Sequence, residues 1–149
     1  KALEARVSLT AQDDSLKVVG MAQVMDDLLS KAAPGTAMPS VKVPGGLITF
    51  KKDKMTEKAL DKIGGKRNYI MFFAEGCSVC AAEKQAMRAM MSDKAASKGV
   101  NVFLVNVDEI LASRPELASD LFDLFDLTSL PFIIETDSKG IVVRRYISF

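Results

Sequence analysis

Residues 69–83 read Tyr-Ile-Met-Phe-Phe-Ala-Glu-Gly-Cys-Ser-Val-Cys-Ala-Ala-Glu, and the remainder of the chain is best understood outward from this stretch. Its apolar first half predicts a buried strand. A Glu-Gly pair then interrupts the apolar run, and a helical pattern begins at the cysteines. The stretch therefore predicts a strand that delivers two thiols, Cys77 and Cys80, to the first turn of a helix.

The position of the two cysteines indicates their chemistry. Unpaired N–H groups at the start of a helix favour negative charge, so a thiolate at Cys77 is stabilised and becomes the better nucleophile at neutral pH. A spacing of three residues on a helical turn leaves the sulfur of Cys80 close enough to form a disulfide. Such a short loop gains little stability by entropy alone, so the pattern favours redox chemistry over an inert structural bond.

Composition and charge exclude several classes of function. The 149 residues are 48% hydrophobic and 26% charged, which is typical of one globular domain with its own core. The net charge of +1 indicates neither a nucleic-acid surface nor a polybasic membrane patch. No apolar run approaches the roughly 20 residues that cross a bilayer. The chain begins at Lys1 rather than at a methionine, which fits a chain trimmed of an export segment and equally any other cut fragment.

The absence of histidine narrows the chemistry further. Zinc normally takes four ligands, and the two cysteines do not complete such a site, although a metal shared across a dimer stays open. Cys-His and Ser-His-Asp catalysis are also excluded. We therefore expect no metal and no cofactor.

The hydrophobic pattern divides the chain into an N-terminal helix and an alternating α/β region. The first helix is predicted at residues 16–33, and Pro- and Gly-rich residues 34–46 follow as an extended connector. Further helices are predicted at 56–63, 78–97 and 115–125, and strands at 47–50, 68–74, 100–108, 132–135 and 141–147. From residue 68 the order is β-α-β-α-β-β, which indicates an α/β fold with a mixed central sheet and helices on both faces.

Several motifs within this order coincide with those of a known family. Cys77-Ser78-Val79-Cys80 lies between a core strand and its helix, and Leu130-Pro131 opens the final hairpin. Residues 34–39 form a Pro-rich phrase, and Glu83 completes Cys-x-x-Cys-x-x-Glu. The chain resembles the thioredoxin fold and, more narrowly, is similar to the TlpA/ResA-like extracytoplasmic thiol–disulfide oxidoreductases.

The resemblance covers residues 34–149 and implies a thioredoxin-like domain there, with residues 1–33 as a helical extension that packs on the core. Three departures stand out. The tryptophan that usually precedes the first cysteine is Gly76, and the usual threonine or valine before the proline is Leu130. The sequence given stops at residue 149, so we expect no C-terminal helix, and the helix at 16–33 is expected to supply part of the missing cover.

The resemblance also implies roles for individual residues. Cys77 is expected to be the attacking thiolate and Cys80 the more buried resolving thiol. Glu83 is expected to tune the thiols and to move protons, because a carboxylate near a thiol disfavours a second negative charge. Leu130 and a cis Pro131, together with Gly76, are expected to form the surface that binds an extended substrate.

The function implied is electron exchange with protein disulfides through the Cys77-Cys80 pair, and the expected direction is reduction of the partner. Its partners would be protein disulfide or dithiol substrates and an upstream redox partner, in the periplasm. Anchoring upstream of Lys1, the oligomeric state and the potential stay open. Two alternatives remain: a redox-inactive thioredoxin-fold interaction module, and a peroxiredoxin-like peroxidase, whose Pro-x-x-x-Thr-x-x-Cys phrase is missing here.

Overall fold

A computed structural model of the chain describes residues 33–50, 52–125, 127 and 129–146. The extension at residues 1–33 lies outside this part of the chain except for Ala33. The predicted helix at 16–33, and its packing against the sheet, therefore stay predictions.

The described residues form six strands, which make one mixed sheet, and three helices. In chain order these are β1 (Lys42–Ile48), β2 (Asp53–Ala59), β3 (Arg67–Phe73), α1 (Ser78–Met91), β4 (Val100–Asn106), α2 (Val107–Ser113), α3 (Pro115–Phe125), β5 (Phe132–Asp137) and β6 (Val142–Tyr146). The strand order is β2-β1-β4-β3-β5-β6. Only the central pair, β3 and β4, is parallel among these strands, and the other neighbours are antiparallel. The predicted mixed α/β sheet is confirmed.

The prediction of a helix at residues 56–63 is wrong, because β2 occupies Asp53–Ala59 and pairs with β1 along its whole length. The segment carries Met, Glu, Lys and Ala, which are good helix formers. It lies at the edge of the sheet, however, where charged side chains stay solvated and pairing with a neighbour outweighs a weak strand propensity.

Three further boundaries differ from the sequence-based expectation. The first strand begins at Lys42 rather than at residue 47. Helix α1 ends at Met91 instead of continuing to residue 97, because the Asp93 carboxylate accepts bonds from the backbone N–H groups of Ala95 and Ala96 and forms a turn. The strand predicted at 100–108 ends at Asn106, where the missed helix α2 begins.

A proline within β1 is tolerated because the strand is only partly paired. Pro44 faces Glu57 of β2, but β1 pairs with β4 only from Gly46 to Ile48. The missing N–H of Pro44 therefore interrupts no bond in the β1–β4 ladder.

Gly45 brings β1 close to β4, and we expect Gly45→Ala to lower the free energy of unfolding by about 2 kcal/mol. A Cβ atom at Gly45 would lie 2.6 Å from the carbonyl oxygen of Leu104 and 2.8 Å from the ring of Phe103. Urea unfolding followed by far-ultraviolet circular dichroism measures the loss. The neighbouring Gly46→Ala is the matched control, because its Cβ would meet nothing nearer than Met55 Sδ at 3.6 Å. Equal effects at the two positions would contradict this account.

Alternate residues of the central strands enter two separate cores, which places helices on both faces of the sheet. Ile70 and Phe72 of β3 pack with residues of α2 and α3, whereas Met71 and Phe73 pack with residues of α1. Helix α1 contributes three fully buried side chains to the second core: Cys80, Met87 and Met91. The core under α1 therefore includes one of the two cysteines.

A buried carboxylate lies on β5. Glu135 is only 1% exposed, and the hydroxyl of Tyr146 donates to its Oε1 at 2.7 Å. Arg144 Nε lies 3.4 Å from the same oxygen, and Arg67 Nε lies 3.0 Å from Oε2 in an ion-pair contact without hydrogen-bond alignment. Burial, followed by the bond to Glu135, raises the pKa of Tyr146 well above its usual range.

Candidate redox site

The turn between β3 and α1 requires an unusual backbone conformation. Gly76 has φ +76°, in the left-handed region that side chains rarely adopt. A Cβ atom there would meet nothing within 4 Å, so the backbone conformation, not a lack of space, favours glycine. The absence of the tryptophan expected from the resemblance therefore coincides with a turn that suits glycine.

Cys77 and Cys80 form a disulfide at the start of α1, with Cα atoms 5.2 Å apart. Cys77 is the N-cap residue, and its Sγ accepts a hydrogen bond from the backbone N–H of Cys80 at 3.1 Å. Cys80 is 1% exposed, whereas Cys77 is half-buried. Of the two sulfur-bearing residues, Cys77 is therefore the more accessible from solvent.

The Leu130–Pro131 peptide bond is cis, as predicted. Pro131 is buried, and Leu130 is half-buried against the core that contains Cys80. Cys77 packs against the same core. The segment Leu130–Pro131, which we call the proline loop, and the disulfide are therefore next to one apolar core. Glu83 lies on α1 one turn beyond Cys80 and is half-buried.

Polar groups at the carboxyl ends of β3 and β4 form a network next to the disulfide. The backbone N–H of Glu75 donates to Asp108 Oδ2 at 2.9 Å, and Asn106 Nδ2 donates to Glu75 Oε2 at 2.9 Å. Asn106 also caps α2 by accepting from the N–H groups of Asp108 and Glu109. Sequence reasoning missed Asn106 and Asp108 as site residues, although they are polar residues at the carboxyl end of the strand predicted at residues 100–108, which is the signal that could have found them.

A groove of about 630 Å³ opens beside the disulfide. It is lined by residues of β1, β2, β3, β4, α1 and α2, and both cysteines contribute to its wall. Lys84 and Phe73 both line the groove. The Lys84 Nζ atom lies 4.2 Å from the centre of the Phe73 ring, within range of a cation–π contact.

Neither a metal site nor a membrane-spanning helix is found among the described residues. No group of three or more acidic, cysteine or histidine side chains there is arranged to hold a metal ion. No helix there has the length and apolar character that crossing a membrane requires.

Of three solved structures compared with the chain, one superposes well enough to support this architecture. The C-terminal domain of an uncharacterized protein from Bacteroides fragilis superposes with a TM-score of 0.55 at 17% identity, over 78% of this chain and 91% of that one. The thioredoxin domain of a thiol-disulfide oxidoreductase from Bacteroides vulgatus gives a TM-score of 0.42 at 18% identity, over 78% and 90%. The oxidized mitochondrial thioredoxin 3 of Saccharomyces cerevisiae gives 0.43 at 19%, over 60% and 72%.

The sheet, the Cys-x-x-Cys disulfide and the cis proline together define a thioredoxin-fold domain with a cysteine pair at the start of its first described helix. Residues 34–148 match the AhpC/TSA family, and the chain belongs to that family. No curated protein matches the chain.

Proposed function

We propose that this protein is a thiol–disulfide oxidoreductase that exchanges electrons with protein disulfides through Cys77 and Cys80. The observation that carries the proposal is the asymmetry of the disulfide. Cys77 is partly exposed at the start of α1, and Cys80 is buried one turn below it. An attacking thiol must reach a partner, whereas a resolving thiol needs only to reach the first sulfur.

In the reduced protein, the Cys77 thiolate attacks one sulfur of a partner disulfide, and the other partner sulfur leaves as a thiolate that takes up a proton. The Cys80 thiolate then attacks Cys77 Sγ in the mixed disulfide. The Cys77–Cys80 bond forms, and the second partner thiol is released. Two electrons have passed to the partner, and a dithiol donor must reduce the 77–80 bond before the next cycle.

Two features of the chain support the first step. The Cys80 backbone N–H already donates to Cys77 Sγ, and such a bond, with the helix N-terminus, favours the thiolate. The proline loop at Leu130–Pro131 lies against the same core, and we assign to it, with Gly76, the binding of an extended substrate.

The direction we propose is reduction of the partner. Glu75 lies two residues before Cys77, and Asp108 is bonded to the backbone of Glu75. Carboxylates near a thiol disfavour a second negative charge. We expect these carboxylates to offset the stabilisation of the thiolate by the helix start and so to lower the potential, which would make the dithiol a better electron donor.

The midpoint potential of the Cys77–Cys80 couple tests this function. We expect a value of about −250 mV or below, typical of a reductant. Because the chain has no tryptophan, thiol alkylation and mass shift across a series of thiol buffers is the appropriate measurement. A value of about −150 mV or above would indicate an oxidant or isomerase, and a pair that never equilibrates with the buffer would be a structural bond.

Two further experiments test the role of Glu83 and the peroxidase alternative, the first with the same alkylation assay. We assign Glu83 the role of acid/base for Cys80, so Glu83→Gln should shift the pH dependence of Cys80 alkylation, and an unchanged profile would remove that role.

Peroxide consumption by the reduced protein in the absence of any disulfide substrate would favour the peroxidase alternative.

The proposal extends to the setting of the reaction. We infer a TlpA/ResA-like protein that works in an extracytoplasmic compartment with an upstream dithiol partner, because the Pro-rich phrase at residues 34–39 and the Cys-x-x-Cys-x-x-Glu pattern resemble that family. Fractionation of cells that express the full-length protein checks this, and recovery in the cytoplasm would exclude it.

A further inference from the structure

The groove beside the disulfide lies on a different side of β3 from the proline loop. Its lining comes from β1, β2 and β4 as well as from β3 and the helices, whereas Pro131 precedes β5 on the other side of β3. A partner disulfide at Cys77 can therefore contact the chain on two sides. The resemblance assigns a role to only one of them.

The floor of the groove is apolar. Phe73 and Leu104 line it from β3 and β4, and Gly46 of β1 leaves space where a side chain would stand. Met55 reaches into it from β2 and is 72% exposed. At about 630 Å³ the groove is within the range of about 300–1,000 Å³ typical of ligand sites.

Strand β2 forms the outer wall of the groove and is attached to the helices by two ion pairs. Asp53 of β2 contacts Arg88 of α1, and Glu57 of β2 contacts Arg114 at the end of α2 with 3.0 Å between the charged atoms. Met55 lies between these two pairs on the same strand. The charges at this wall are therefore already neutralised by partners within the chain.

Three charged side chains on the remaining walls, Glu75, Lys84 and Glu109, have no ion pair of this kind among the described residues, and of these the Glu75 carboxylate is hydrogen-bonded to Asn106. Lys84 of α1 and Glu109 of α2 both line the groove, and in the part of the chain that the structure describes neither has an opposite charge within ion-pair distance. Lys84 is held over Phe73, and Glu109 is exposed at the end of the groove formed by α2. Lys84 and Glu109 thus present one positive and one negative group that have no hydrogen-bonded partner within the described part of the chain, beside an apolar floor and a disulfide, while the Glu75 carboxylate accepts from Asn106.

We propose that this groove binds the segment of a substrate polypeptide that flanks its cysteine, with an acidic residue at Lys84 and a basic residue at Glu109. The inference rests on the proposed function, because it names the substrate class of the same disulfide. The apolar floor accommodates a side chain between the two charges, and the opposite charges select the direction in which the peptide lies. Charge complementarity of this kind contributes chiefly to specificity.

Three peptide disulfides of equal net charge test the proposal. In one, the cysteine is preceded by Glu and followed by Lys; in the second the order is reversed; in the third both positions are Gln. Pre-reduced full-length protein is mixed with excess peptide, and the loss of its thiols is followed by quenched alkylation. We expect one of the two charged orders to half-saturate the reaction at a concentration about threefold to tenfold lower than the Gln peptide. We expect 0.5 M salt to remove most of this difference.

Charge variants locate the effect. Lys84→Gln and Glu109→Gln should each reduce the preference, and the double variant Lys84→Glu/Glu109→Lys should prefer the reversed order. Lys139→Gln, on the β5–β6 turn, is the matched control and should keep the native preference. Equal half-saturation for all three peptides, or a preference that survives the charge reversal, would overturn the inference while leaving the redox function intact. A reduced protein that no peptide disulfide oxidises would overturn the function and the inference together.

Discussion

The Cys77→Ser variant is expected to reduce protein disulfides at least about a thousandfold more slowly than the native chain, because it lacks the attacking thiolate. Cys77 is the accessible member of the pair, and the buried Cys80 cannot replace it without opening the core under α1. Reduction of insulin disulfides by dithiothreitol, followed by light scattering, measures the loss. The uncatalysed rate with dithiothreitol alone sets the baseline.

The Cys80→Ser variant separates the two thiols. It keeps the attacking group and loses the resolving one, so the mixed disulfide between Cys77 and the partner should accumulate and appear on a non-reducing gel. The Cys77→Ser/Cys80→Ser double variant is the control and should trap nothing. Trapping by Cys77→Ser with none by Cys80→Ser would reverse the assigned roles. Turnover by the native chain no faster than the uncatalysed rate, with nothing trapped by Cys80→Ser, would support the redox-inactive interaction module over the enzyme.

We expect the second large effect at the buried carboxylate, where Glu135→Gln should lower the free energy of unfolding by about 3 kcal/mol. The substitution keeps an acceptor for the Tyr146 hydroxyl but removes the charge between Arg67 and Arg144. Both arginine side chains are 56% exposed and can hydrate in part, which places the estimate at the lower end for a broken buried pair. Urea unfolding of the oxidised protein measures the change.

Glu57→Gln is the matched control for this substitution. It breaks one exposed ion pair with Arg114, and exposed pairs of this kind contribute little to stability because water screens them. The hydrogen bond from the Arg114 side chain lowers the pKa of Glu57, but both side chains of the pair are exposed to solvent. If Glu135→Gln were no more destabilising than Glu57→Gln, the buried cluster would not stabilise the fold as described.

Strong local patterns account for the parts of the fold that were predicted correctly. The apolar run of β3 and the helical spacing after Cys77 each identify one element without reference to the rest of the chain. Strand β2 was mistaken for a helix because its side chains favour a helix and only its pairing with β1 makes it a strand. Helix α2 was missed because it follows β4 with no loop, although Asn106 is a typical N-cap residue.

From the residues alone, the site was predictable only where it is local in the sequence, and the cis proline at Pro131 was predicted from the family resemblance. Cys77 and Cys80 are three residues apart, and their placement at a helix start follows directly from the pattern around them. The groove depends on Gly46, Met55 and Glu109, which come from three different elements. Their meeting is set by the strand order β2-β1-β4-β3, in which β1 and β2 join the sheet beside β4, and no spacing within the sequence reveals that order.

The hydrogen bond at the start of α1 bears on how the proposed redox pair would behave over many cycles. The donor is the backbone N–H of Cys80, and the acceptor is the sulfur that caps the helix. A thiolate at Cys77 can accept the same bond, so the helix keeps its cap whether the sulfur is oxidised or reduced. The scaffold then has little to rearrange when electrons arrive or leave. Such a centre suits a carrier that passes electrons onward repeatedly, rather than a sensor that must change shape to report its oxidation state.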